Sequence, residues 1–249
     1  MNNALLKKLV IPVVAAAGIN YGLGTAQRRL EDDFIDNIVD RESSEHISDA
    51  RTAALNILSK QNIPIYKIEN WPNAAFFVNR NTGEKGLLFG KYKGKSMNSR
   101  EVVAHELGHA YNYDDPNANW RIKTSGIRGL LSTTAPFTTY LTARLNKLTS
   151  KKSLLTALGV GSAIRGLDKL VTLREEGEAS RKAVDLLKKY NAVNSVDKAN
   201  VDESKNSLDR AYRTYAFDAL ATPAKIGASV LTTHALFELG RKIKKVIKR

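Results

Sequence analysis

His105 and His109 stand four residues apart with Glu106 beside the first, in the run Ala104-His105-Glu106-Leu107-Gly108-His109-Ala110. On a helix, residues i and i+4 share one face a turn apart, so both imidazoles can reach a single metal ion at about 2.0–2.1 Å. Glu106 then flanks the open coordination position. There it can take a proton from water that the metal has made acidic, and later hand it to a leaving amine. The surroundings read as a helix: Asn98 is placed to cap it with Glu101 as the reciprocal partner, and the predicted span runs from near Ser99 to about Tyr113. Asp114-Asp115-Pro116 ends it. Val102, Val103, Ala104 and Leu107 supply a buried side, and Gly108 permits close approach of a neighbouring backbone. The bland alternative is two ordinary helical histidines beside an exposed glutamate, but the motif uses two of only four histidines in the chain.

Composition narrows the chemistry further. The 249 residues include no cysteine, so disulfides, thiolate metal sites and cysteine nucleophiles are excluded, and His with Asp and Glu are the strong metal ligands left. This length suffices for a catalytic domain with a real core. The net charge is +14, with basic clusters at Lys7-Lys8, at Arg28-Arg29 and along the tail 241–249. Such a balance favours anionic neighbours, and basic residues next to apolar segments suit lipid headgroups at about 1 kcal/mol each. Membrane association is therefore the expectation. A nucleic-acid backbone would also be attracted, but no RNA-binding signature, phosphate loop or zinc finger supports it. Composition is silent on oligomeric state.

Along the chain, residues 1–26 hold an apolar stretch from Leu9 to Gly24, shorter than the roughly 20 residues a spanning helix needs. It reads as a membrane anchor, a buried first helix, or a signal peptide cleaved after Gly24-Thr25-Ala26, in that order of preference for the first two. Ile47, Ala50, Ala54, Ile57 and Leu58 recur at helical spacing until Gln61-Asn62. From Ile63 to Phe89 short β-prone runs alternate with Pro, Asn and Gly, including the turn Asn81-Thr82-Gly83, and predict a small antiparallel sheet. Three apolar-biased stretches follow, at 126–143, 153–173 and 215–239. Arg128, Arg165 with Asp168, and Asp218 with Lys225 interrupt them, and charges at a bilayer centre cost about 2.5–3.5 kcal/mol each. Buried or interfacial helices fit them as well as spans do. Residues 191–206 read as a polar linker, and 207–249 as C-terminal helices with a basic tail. The fold class is α+β, mainly helical.

Two histidines do not complete a catalytic site, so a third protein ligand is required. Asp115 sits where HExxHxxGxxH sites carry their last ligand, though Asn112 replaces the glycine. Glu175, Glu176 and Glu178 open a second helix about seventy residues downstream, from which a carboxylate would meet the metal in gluzincin fashion. The same glutamates would also serve as a solvated acidic turn at a helix start. Spacing alone does not choose among them.

The chain resembles the membrane-associated neutral zinc metallopeptidases of the YugP type. The resemblance rests on Ala104–Ala110, on Leu170-Val171-Thr172-Leu173, and on Glu176-Gly177-Glu178-Ala179-Ser180-Arg181-Lys182-Ala183, with Ala211 to Leu220 similar to a further family helix. It covers roughly 48–220. It implies a zincin-like core in residues 27–190, hydrolysis of protein or peptide substrates, one Zn2+ ion, and His105, His109 and Glu176 as its ligands, with Glu106 as the catalytic base. Arg174 stands where the family usually has proline and Gly177 where it has an aromatic, while the interrupted apolar stretches depart from its spanning helices. An assembly component that keeps this scaffold without turnover, and a basic membrane- or nucleic-acid-binding helical protein, are the competing readings. For the oxyanion partner, Tyr111, Tyr113, Arg181 and His234 are the candidates.

Overall fold

The computed structural model describes residues 45–247 except 69, 70, 72, 80, 93, 94, 98 and 194–197, and before them 14, 17–19, 21–26 and 29. In order, its elements are α1 (Glu45–Leu58), β1 (Ile65–Lys67), β2 (Ala74–Val78), β3 (Lys85–Phe89), β4 (Lys91–Tyr92), β5 (Lys95–Ser96), α2 (Arg100–Asp114), α3 (Asn119–Leu145), α4 (Ser150–Val193) and α5 (Lys198–Ile247). The architecture is mainly helical α+β. The chain forms two compact units, each assembled from separated segments.

One unit comprises 30–123 and 172–215 and contains the strands. Leu55 of α1, Leu87 and Phe89 of β3, Val103 and Leu107 of α2, Leu187 of α4 and Leu208 of α5 are buried together in its core. The β2–β3 hairpin closes through Thr82-Gly83, where Gly83 has a φ of 74°, which a side chain would strain. The sheet order is β1-β3-β2, leaving β2 with a free edge. Beneath it, Asn56 clamps the backbone of Ile63 in both directions, donating at 2.7 Å and accepting at 3.0 Å. This ties the end of α1 to the first strand.

The other unit comprises 1–29, 124–171 and 216–249. Its described part is helical, with Tyr140, Ala157, Ile226 and Val230 buried together.

Several expectations are corrected. The sheet is mixed rather than antiparallel: β2 runs antiparallel to β3, but β1 runs parallel to it. Alternation of side chains is the same in either direction, so the sequence pattern carried no sign of it. The cap of α2 is Ser99, whose hydroxyl accepts from Val102 N at 3.4 Å. Glu101 instead binds Arg100 and the buried Ser204. On α1 Thr52, Leu55 and Asn56 are buried and the expected Ala54 and Leu58 pack against the core, but Ala50 and Ile57 are exposed. Of the segment read as a linker, 191–193 end α4 and 198–206 begin α5, while 194–197 lie outside the described residues. Its polar composition is that of a helix whose inward positions, Ser204 and Ser207, are themselves polar. No helix among the described residues is long and apolar enough to cross a membrane. Of the first apolar stretch, residues 9–13, 15, 16 and 20 lie outside the described residues.

Candidate metal centre

Helix α2 brings His105 and His109 to one face, and α4 crosses close enough to set Glu176 against both. The contact is made possible by Gly108: a Cβ there would lie 2.3 Å from the carbonyl oxygen of Ala179. Asn112, fully buried, donates to the carbonyl of Glu175 at 3.4 Å and adds a second tie between the helices.

Three donor atoms converge. Glu176 Oε2 lies 3.1 Å from His105 Nε2 and 3.5 Å from His109 Nε2, and the two Nε2 atoms are 3.2 Å apart. Ligand atoms at tetrahedral angles on bonds of about 2.0–2.1 Å stand about 3.3 Å from one another, so these separations fit one ion held by all three. Two imidazoles and a carboxylate are a donor set that zinc accepts. The opposite ring nitrogens are also held. His109 Nδ1 is 3.3 Å from Glu175 Oε1, and His105 Nδ1 is 3.3 Å from Ser180 Oγ. Each Nδ1–H thereby has an acceptor that leaves Nε2 with its lone pair toward the centre.

The acidic cluster divides by partner. Glu176 faces the histidine pair and Glu175 orients one of its members, whereas Glu178 is engaged by Arg121 and by Arg174, the latter at 3.0 Å. Asp115 is the C-cap of α2, its N–H bonded to Tyr111 O, and among the described residues it does not join the group that could hold a metal ion.

Charge follows geometry. Burial opposes a charged His109, yet the carboxylates of Glu176 and Glu175 outweigh it and raise this imidazole well above its usual range. Burial likewise opposes an ionised Glu176, but His109 and His105 hold it far below the usual carboxylate range. Zinc would substitute for the proton between these groups.

Glu106, also buried, accepts from Phe76 N at 2.6 Å. In the β2–β3 ladder Asn79 N bonds to Glu84 O and Gly90 N to Asn73 O, so odd-numbered positions of β2 pair with β3 and Phe76 presents its N–H at the free edge. The spacing of the motif carries no sign of this contact, because Phe76 lies thirty residues before Glu106 in the chain. Among the oxyanion candidates, Tyr111 donates to Ser59 O at 2.7 Å and Tyr113 packs its ring on Phe76. Arg181 donates to Gly177 O, and His234 lies 2.6 Å from the Tyr140 hydroxyl in the helical unit.

A family model described as "Putative neutral zinc metallopeptidase" matches residues 26–233. No curated protein and no solved structure matches the chain.

Proposed function

The chain belongs to the neutral zinc metallopeptidase family, and on that premise we propose that it hydrolyses peptide bonds at a zinc ion held by His105, His109 and Glu176, with Glu106 as general base. The observation that carries this reading is the convergence of three ligand atoms next to a buried glutamate that is not itself one of them. Zinc, when bound, supplies Lewis acidity that makes water acidic near pH 7 and polarises a carbonyl. The protein's own share is positional. Glu175 and Ser180 fix the tautomer of the histidines, and the Gly108–Ala179 contact holds the two helices at the spacing the ligands need. The Phe76 N–H fixes one oxygen of Glu106, leaving the other to accept the proton of the attacking water and return it to the departing amine.

The free edge of β2 supports a peptide substrate in particular. An extended chain can add to such an edge through main-chain hydrogen bonds, which read no particular side chain. It would lie beside Glu106 and use the outward main-chain groups of that edge other than the Phe76 N–H, which Glu106 already holds.

The test is Glu106→Gln. The amide keeps the shape and can still accept from Phe76 N, but it cannot take a proton. Peptide hydrolysis should fall by about 10²–10⁴-fold with zinc content unchanged. Full activity in that variant would remove Glu106 from the mechanism.

A further inference from the structure

The stripe of α2 that carries Glu106 continues past the candidate centre. Residues i and i+7 of a helix lie nearly over one another, about 10.5 Å apart along the axis, so Tyr113 stands on that stripe two turns further on. Both residues meet the same strand residue. Glu106 holds the N–H of Phe76, and the Tyr113 ring packs on the Phe76 ring with centroids 5.9 Å apart. The helix advances along β2 in the direction of the strand, because Asp114 pairs with Lys85, which stands opposite Val78 in the ladder. Tyr113 thus marks the Val78 end of the free edge.

Two ammonium groups gather there. Lys85 Nζ lies 5.8 Å and Lys123 Nζ 5.4 Å from the centre of the Tyr113 ring, within the distance at which the negative face of an aromatic ring holds a cation. Their commitments differ. Lys85 is bound by Asp114 and lies 3.5 Å from Gln61 Oε1. Lys123 is exposed, and among the described residues no carboxylate pairs with it. Its place in the fold is nevertheless fixed, since two residues earlier the buried Arg121 is bound by Glu178 of α4. One carboxylate therefore serves two cations, and this end of the edge keeps a positive charge.

We infer that Lys123, set on the Tyr113 ring, is a specificity-determining residue that recognises a carboxylate of the peptide substrate. This rests on the docking of an extended peptide along β2 proposed above. An extended chain covers the distance along α2 from Glu106 to Tyr113 in about three residues, at about 3.3–3.4 Å each. The carboxylate therefore belongs about three positions from the bond that Glu106 faces. An aspartate or glutamate side chain and a free C-terminus offer the same oxygens there. A lysine or arginine at that position would meet an ammonium group that nothing compensates, and is selected against.

Fluorescein-labelled decapeptides of alanine and threonine, each carrying one glutamate at a different position and made with amidated and with free C-termini, test this. Fluorescence anisotropy with the full chain carrying Glu106→Gln reads binding without turnover. At one position the glutamate peptide should bind about fivefold more tightly than its glutamine counterpart, the size of a partly exposed ion pair. Lys123→Gln should erase that difference and leave the glutamine peptide unaffected, Lys123→Arg should keep it, and Lys123→Glu should turn it into a preference for a lysine-bearing peptide. A preference seen only with free C-termini assigns the carboxylate to the chain end rather than to a side chain. In the zinc-loaded chain with Glu106 intact, Lys123→Gln should raise KM for the preferred peptide about fivefold at unchanged kcat. Equal binding of glutamate and glutamine peptides at every position and with either end, or binding of none of them, overturns the inference, as does a preference that survives Lys123→Gln. Selective binding without any hydrolysis by the zinc-loaded chain would instead contradict the proposed peptidase activity and leave the role of Lys123 standing.

Discussion

Glu175 and Ser180 lie outside the three groups that could hold a metal ion, yet each stands against the ring nitrogen that His109 or His105 turns away from the candidate centre. Removing such a partner frees the ring to rotate and changes its basicity. Glu175→Ala should weaken zinc binding by about 10–100-fold in a chelator competition titration, and Ser180→Ala should act in the same direction through His105. Unchanged affinity in both would mean that packing alone orients the rings. How far such roles are legible in sequence is set by angular resolution. The histidines and Glu106 follow from a four-residue spacing that any helix honours. Glu175, Glu176 and Glu178 lie within one turn but point in different directions, and only the partners distinguish them: the histidines take Glu176 and Glu175, while Arg121 takes Glu178. Arg121 lies far from Glu178 in the chain and carries no local mark of that role.

Among the elements, the crossing of α2 and α4 decides whether a site forms at all. A methyl group at Gly108 would overlap the Ala179 carbonyl, so Gly108→Ala must push the helices apart. We expect about 1–3 kcal/mol of destabilisation in denaturant unfolding, with a parallel loss of zinc affinity. Gly177→Ala is the contrast. Its Cβ would lie 3.5 Å from the Tyr212 ring, an ordinary contact, and alanine improves helix propensity, so stability should hold or rise by up to about 1 kcal/mol. A destabilised Gly177→Ala with an unaffected Gly108→Ala would reverse the assignment of which face is crowded. The existence of α1 and α2 was legible from periodicity and from the Asp114-Asp115-Pro116 stop. The parallel pairing of β1 and the helical start of α5 were not, because strand direction leaves no mark on alternation and buried serines resemble a linker.

For the molecule as a whole, the division into units is non-contiguous, with α4 and α5 each contributing to both; the apolar-biased stretches 126–143, 153–173 and 215–239 mark nearly the same segments, but nothing in the sequence shows that they group together. The two units have separate chemistry, and pH reports on the one that holds the site. In the metal-free chain His109 is raised above its usual 6.5, so its stabilising contribution is complete below that value and is lost as pH rises through the folded value. Glu176 is lowered from its usual 4.5, so its contribution is complete above that value and is lost as pH falls through the folded one. Metal-free stability should therefore peak between about 4.5 and 6.5 and decline above it. Zinc must displace the His109 proton, so the rise in Tm on adding zinc should grow over the same upward range. A metal-free Tm that climbs above pH 6.5 would contradict the coupling of these groups.

The central claim is that His105, His109 and Glu176 hold one zinc ion, and elemental analysis of the purified chain, reconstituted with zinc and freed of excess, tests it most directly. One zinc per chain is predicted, with loss of retention in Glu176→Ala and full retention in Asp115→Ala. A chain that takes up no zinc, or a Glu176→Ala variant that keeps it, would contradict the account.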